Sequence, residues 1–399
     1  MSKTKLFRNT AIALAAAATL PAAMATNGYF AHGYGMKAKG MAGAAVASTD
    51  DAFAGANNPA AAAWAGNRVD LGVDLFMPKR SASSTASSWA ASSDSNEFLV
   101  PELGWNKVIS DKLAFNLTVY GNGGMNTDYP TNNGFGTGRM GVDLIQLIVA
   151  PTLAYKFAPD HSVGVSPLFI QQKFKASGLQ NFGVTDTGYD TSTGTGVRIG
   201  YLGKISSTVS LGASYSPKTD MSKFDKYKGL FAEQGDFDIP ENYTIGASFM
   251  ASPTLRVAFD YQKIMYSGVK AIANPSNTGG TLGAANGPGF GWSDVNVYKL
   301  GVEWKSSGDL TLRAGLNVGD NPIQSRDATF NILAPGVITT HYTLGGTYAV
   351  AKDKELTVAY MYAPENSVTG PTSSLLGGGG NDTIKMSQQS LGVQFSWKY

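Results

Sequence analysis

Leu391-Gly392-Val393-Gln394-Phe395-Ser396-Trp397-Lys398-Tyr399 is the last stretch of the chain. As an extended strand it puts Leu391, Val393, Phe395, Trp397 and Tyr399 on one face and Gly392, Gln394, Ser396 and Lys398 on the other. The apolar face is large, aromatic and continuous to the final residue. Termini of water-soluble domains are usually solvated and loose, so this face argues for an apolar solvent. Barrels that span membranes alternate lipid-facing and lumen-facing residues and carry aromatic girdles at both interfaces.

The same period-two pattern recurs upstream. Val69, Leu71, Val73, Leu75 and Met77 alternate with Asp70, Gly72, Asp74 and Phe76. Leu113 to Tyr120, Leu255 to Gln262 and Leu310 to Asn317 behave alike. Collecting such segments predicts about fourteen strands, an even number as bacterial barrels have. Their predicted spans are 67–79, 97–109, 112–125, 140–158, 161–176, 194–206, 208–220, 239–251, 254–268, 294–307, 309–319, 338–351, 354–365 and 386–399. Short connections such as Pro159-Asp160 and Lys352-Asp353 alternate with long ones rich in Gly, Ser, Thr, Asn and Asp. The long ones are Arg80–Asn96, Asn126–Arg139, Ser177–Thr193, Met221–Asp238, Val269–Ser293, Asp320–Val337 and Glu365–Lys385. Short periplasmic turns and longer external loops are the outer-membrane arrangement, so both chain ends are expected in the periplasm. The expected fold is therefore all-β: a 14-stranded antiparallel transmembrane β-barrel spanning residues 67–399.

Composition agrees. Among 399 residues there are 48 glycines, no cysteine and only 15% charged side chains, which suits strands and loops and excludes disulfides. A mean hydropathy of −0.09 is too polar for a bundle of membrane helices. Lys3, Lys5 and Arg8, the apolar run Thr10–Leu20, Pro21 and Ala23-Met24-Ala25 read as a secretory signal over residues 1–25. A membrane anchor is the rival reading, but the apolar run falls below the roughly 20 residues needed to span. With 31 basic and 29 acidic residues the net charge is +2; without those three basic residues it is −1, and nothing points to nucleic acid. A charge facing lipid at mid-membrane costs about 2–4 kcal/mol. On the strand parity Arg198, Arg256, Asp260, Lys299, Glu303 and Arg313 all face inward, where they can be solvated or paired. Lys107 faces outward beside a short turn, within reach of the interface.

Residues 26–66 do not alternate. They are Gly- and Ala-rich, with Tyr29, Phe30, Tyr34, Met36, Met41, Phe53 and Trp64 as their larger apolar side chains. A lumen about fourteen strands wide would leak unless filled, so this segment is expected to be a plug, with a short helix over Lys39–Val46. The motifs Asn27-Gly28-Tyr29-Phe30, Gly33-Tyr34-Gly35, Lys39-Gly40-Met41-Ala42-Gly43-Ala44, Asp50-Asp51-Ala52 and Asn57-Asn58-Pro59-Ala60 resemble the N-terminal hatch of the FadL family of outer-membrane transporters for long-chain fatty acids and hydrocarbons. Asp238-Ile239-Pro240-Glu241, Asp320-Asn321-Pro322 and Tyr120-Gly121-Asn122-Gly123-Gly124-Met125 also look like family positions.

The resemblance implies passive, diffusive uptake without enzyme chemistry and without a cofactor or metal. It implies a ligand pocket and hatch formed by Tyr29, Phe30, Phe53, Asn58, Pro59 and Ala60. It also implies a lateral opening at a kink in the third strand, for which Gly121, Asn122, Gly123 and Gly124 are the candidates. Glycine weakens strand pairing and permits such a bend. An acid head group would need a cation, and Arg198, Arg256, Lys299 and Arg313 are candidates by parity. A long-chain fatty acid is the expected ligand, with an uncharged aromatic or alkane as the alternative. A general porin and an outer-membrane hydrolase are the other readings. The three histidines, His32, His161 and His341, form no motif with a nucleophile. Expected partners are outer-membrane lipid and lipopolysaccharide, and the barrel-assembly machinery reading the terminal Tyr399. A monomer is expected.

Overall fold

The computed structural model describes residues 27–399; the expected signal segment lies outside the described residues. The strands are β1 (Arg68–Ser84), β2 (Trp89–Ser92), β3 (Phe98–Val108), β4 (Leu113–Tyr129), β5 (Met140–Ala158), β6 (His161–Ser177), β7 (Asp190–Lys204), β8 (Val209–Ser216), β9 (Asn242–Ser252), β10 (Leu255–Ile264), β11 (Val295–Lys305), β12 (Leu310–Gly319), β13 (Thr340–Ala351), β14 (Lys354–Pro371) and β15 (Asn381–Lys398). With β2 set aside, each of the other fourteen pairs antiparallel with the next along the chain, and β15 closes on β1 from Arg68↔Lys398 to Ser84↔Asp382. Closure pairs the first and last strands, so the wall has no free end, the condition for strands to sit in hydrocarbon. The opening stretch of sequence is thus the seam strand. Leu391, Val393 and Trp397 lie on its outer, exposed face, while Gln394 and Ser396 are buried inside.

Two differences from the sequence reading concern the long-loop end. The extra strand β2 lies within the stretch read as the loop Arg80–Asn96 and pairs only with the tip of β1, Ser81↔Ser92 to Ser84↔Trp89. The β14–β15 hairpin continues to Pro371↔Asn381, so the loop read as Glu365–Lys385 shrinks to residues 372–380. Both segments lack an apolar face, and hydrophobic alternation is the only strand signal a single sequence offers.

Residues 27–66 fill the lumen. Their short helix spans Met36–Lys39 rather than Lys39–Val46, because Ala42 and Gly43 carry positive φ values of 54° and 82° that end helical geometry. The inner wall changes character with height. At the level of the plug it is polar: Asp70, Asp74, Glu102, Asn106, Asn116 and Gln394 are buried. Further toward the long loops it turns apolar, with Phe76, Phe98, Val100, Ile384 and Met386 buried instead. The plug thus meets a polar wall, and an apolar chamber lies above it.

Candidate functional site

The β3–β4 ladder runs from Val108↔Ala114 only as far as Leu103↔Val119. Beyond that point β3 continues to Phe98 paired with β1, and β4 continues to Tyr129 paired with β5. The seam between β3 and β4 therefore carries no ladder over this stretch. On the other side of β4 the register slips between Gly121↔Leu147 and Gly123↔Gln146, leaving Asn122 as an extra residue. Such a bulge bends the strand and reverses which face each later residue occupies. Ala114, Asn116, Thr118 and Tyr120 are buried before it, and Met125, Thr127 and Tyr129 after it.

The plug occupies the freed edge. Phe30 forms an antiparallel bridge with Gly123. Ala31 N donates to Asn122 O at 2.9 Å, and Gly124 N to Tyr29 O at 3.2 Å. Asn122 is further held by Tyr34 Oη (2.9 Å) and reaches Gln146 Oε1 (2.9 Å). Tyr29 N in turn donates to Tyr266 Oη at 3.1 Å.

Three cavities surround this segment. A largely apolar one lies behind the seam, lined by Phe76, Phe98, Gly124, Met125, Trp292 and Met386 together with Arg80. A second lies among the long loops and is lined by Phe135, Phe174, Phe182, Phe231, Phe290, Phe330 and aliphatic neighbours, with no charged side chain. The aromatic series Phe290–Trp292–Tyr29–Phe30, at centroid spacings of 6.3, 6.1 and 5.2 Å, links the loops to the seam and then to the plug. A third cavity lies between plug and wall and is polar, with His32, Asn57, Arg198, Asp260, Gln262 and Lys299 among its lining.

The four cations singled out by parity divide into two kinds. Arg256 pairs with Asp50 of the plug and with Glu303 (3.0 Å), and Arg313 pairs with the same Glu303 (2.7 Å). These two are structural: Arg256 ties plug to barrel, and Arg313 braces the Glu303 that Arg256 shares. Arg198 instead bonds Ser216 Oγ (2.9 Å), Tyr120 Oη (3.1 Å) and the Ala56 carbonyl, and Lys299 bonds the His32 carbonyl (3.0 Å). Both line the polar cavity.

Other buried pairs hold the plug as well. Lys39 bridges Asp74 (3.0 Å) and Glu102 (2.7 Å), and Lys37 reaches Glu355 (2.7 Å). Burial alone would push the Lys39 ammonium down, but Asp74 and Glu102 more than offset it and keep it charged. Burial likewise raises the Asp50 carboxyl, and the Arg256 guanidinium overrides this to hold it below the usual range. At Asp51 burial, then the neighbouring Asp70, outweigh Lys37 and Arg68 and push the carboxyl up to about 6. Burial, together with His341, Lys39 and Lys299, keeps the His32 imidazole neutral.

The residues singled out in the sequence fall in different places. Tyr29 and Phe30 sit in the aromatic series at the seam, beside Gly121, Asn122, Gly123 and Gly124. Phe53 packs against Gly35 and lines none of the three cavities. Asn58, Pro59 and Ala60 also lie away from them and anchor the plug. Asn58 Nδ2 donates to Val46 O (2.7 Å) and Tyr201 O (2.9 Å), and its Oδ1 caps the turn that Pro59 begins. The wall opposite is glycine because a Cβ at Gly164 would come within 2.5 Å of Ala60 N, and one at Gly200 within 2.9 Å of Pro59 Cδ. Arg80, Tyr266 and Trp292 escaped sequence reasoning. Tyr266 falls within the predicted strand 254–268, but the strand ends at Ile264 and Tyr266 opens the following loop; Trp292 lies in a long loop, where no periodicity marks an inward side chain.

A family model described as outer membrane protein transport protein (OMPP1/FadL/TodX) matches residues 12–399. Among solved structures, the toluene transporter TodX of Pseudomonas putida is similar at a TM-score of 0.69 and 19% identity, over 92% of this chain and 99% of its own. A Pseudomonas aeruginosa FadL homologue gives 0.74 and 16%, over 93% and 99%. The toluene transporter TbuX of Ralstonia pickettii gives 0.66 and 18%, over 92% and 99%. No curated protein matches the chain. With a barrel closed around a plug and the family model spanning nearly every residue, the chain belongs to the FadL/TodX family of outer-membrane transport proteins for hydrophobic compounds.

Proposed function

We infer that the protein takes up small uncharged hydrocarbons by diffusion, with the long loops facing outward, both chain ends in the periplasm, and exit sideways through the β3–β4 seam. The observation that carries this reading is the alignment of two apolar cavities along one aromatic series that ends at the unpaired seam. Burial favours capture by about 0.8 kcal/mol per CH₂, and lateral exit spares the ligand a return to water. The loop cavity offers no charge to an acid head group. The toluene channels among the similar structures fit a ligand of this class.

A fatty acid is the second reading, favoured by one feature. Arg198 and Lys299 line the polar cavity beside Phe30, and their hydrogen bonds go to carbonyl, hydroxyl and phenol oxygens. A carboxylate whose tail lay in the seam would meet them there.

Uptake of radiolabelled toluene and of palmitate by cells expressing the protein separates the two. The first reading expects saturable toluene uptake that Arg198→Gln and Lys299→Gln leave intact. Palmitate uptake lost in those variants, with no toluene uptake in the parent, would overturn it.

A further inference from the structure

Arg80 lies on the inward face of β1 and is 3% exposed. β3 separates β1 from β4 in the sheet, yet the Arg80 guanidinium spans that distance. Its Nε donates to Asn126 O (3.0 Å) and its Nη2 to Asn126 Oδ1 (3.0 Å), both on β4. Nη2 also bonds Ser93 Oγ (3.1 Å) and the Ser95 carbonyl, and Nη1 bonds Pro78 O (2.6 Å). Ser93 N returns a bond to Arg80 O at 2.8 Å. The same turn then meets β4 directly: Asp128 N donates to Ser93 Oγ (3.0 Å) and Asp94 N to Asp128 O (2.9 Å). Each acceptor of the guanidinium is a carbonyl, amide or hydroxyl oxygen. A planar fork with five donors can join two strands and a turn in this way, whereas an ammonium cannot.

These contacts close the top of the unpaired seam. Its floor is the last rung, Leu103↔Val119. Val119 and Asn126 are seven positions apart on β4, one of them the bulge at Asn122, which is about 20 Å at strand rise. The plug covers Asn122 to Gly124, and the cavity behind the seam opens between Gly124, Asn126, Phe98 and Arg80. We propose that Arg80 is the lintel of the lateral window, a positioning residue that fixes its height and so limits the girth of the compounds that leave through it. The proposal rests on the lateral-exit reading.

The test measures uptake of toluene and of the much wider 1,3,5-triisopropylbenzene in the full-length protein, with heat-modifiable gel mobility reporting a folded barrel. Arg80→Ala should raise the ratio of wide to narrow uptake at least about tenfold, since any one of the charge-assisted hydrogen bonds it loses is worth that order. Arg80→Lys keeps the charge but loses the fork and should show part of the rise; it also carries the test if Arg80→Ala does not fold. An unchanged ratio in folded variants overturns the lintel. The underlying exit is checked separately. A Cβ at Gly121 would lie 3.3 Å from Val100 Cγ1, so Val100→Cys with Gly121→Cys can be joined across the seam. If that bond forms and toluene uptake persists, lateral exit fails whatever Arg80 does; if uptake stops and the ratio above is unmoved, only the lintel fails.

Discussion

Gly123→Ala should displace the plug from the seam while leaving the barrel intact. A Cβ at this position would overlap the Tyr29 carbonyl oxygen and approach Tyr29 C to 2.8 Å and Phe30 Cα to 3.3 Å. The β4 backbone cannot yield, because the β5 ladder holds it on both sides of the bulge from Leu113↔Tyr155 to Tyr129↔Met140. The plug segment yields instead and loses two hydrogen bonds, Ala31 N to Asn122 O and Gly124 N to Tyr29 O. At about 0.5–1.5 kcal/mol net each, the cost is about 1–3 kcal/mol, or roughly a 5- to 150-fold larger detached population. Hydrogen exchange reads this directly: the Ala31 and Gly124 amides should exchange faster by that factor, while β5 amides keep their protection. Toluene uptake should rise with the detached fraction, because Tyr29 and Phe30 leave the window. Unchanged exchange at Ala31 would refute the steric argument. Faster exchange with unchanged uptake would refute the role of this segment as the barrier.

Three further outcomes are expected. Lys39→Met leaves Asp74 and Glu102 buried without their cation, at a cost of about 3–5 kcal/mol; steady conductance in planar bilayers should appear, and adding Glu102→Gln should recover part of the seal. Asp51 binds its proton at about 6 when the plug is docked, against 3.8 for the free group. The docked state therefore holds more protons across that window, so plug stability rises as pH falls from above 6 toward 4 and is lost as pH rises through 6. Melting at pH 5 and 7.5 should show this difference, and Asp51→Asn should flatten it. Trp64, with Lys156 and Lys204 each 3.9 Å from its ring centroid, should on change to Ala lose about 1 kcal/mol of plug anchoring per cation, read as faster exchange over residues 60–66.

Much of the architecture is legible in the amino-acid order because a strand repeats every two residues. That period alone separates Leu391 and Val393 from Gln394 and Ser396, places Arg198, Arg256, Lys299 and Arg313 inside, and sorts connections into short and long. It loses sight of strands once they leave the membrane, as with β2 and the tip of the β14–β15 hairpin, since lipid no longer demands apolar residues. The three glycines around Asn122 mark a weak point in β4, but not the reversal of faces beyond it, which depends on which residue β5 leaves unpaired.

The tertiary structure alone decides what each inward group meets. Arg256 and Arg198 are alike by parity, yet one is neutralised by Asp50, 206 residues away, and the other faces a cavity. Asn58-Pro59-Ala60 is recognisable as a motif, but only the approach of Gly164 and Gly200 makes it an anchor. Alternation is a local property that a chain carries in its order of residues. Ion pairs, cavities and the edge that Phe30 borrows from Gly123 arise where distant segments meet inside the closed wall, and nothing in the local order specifies those meetings.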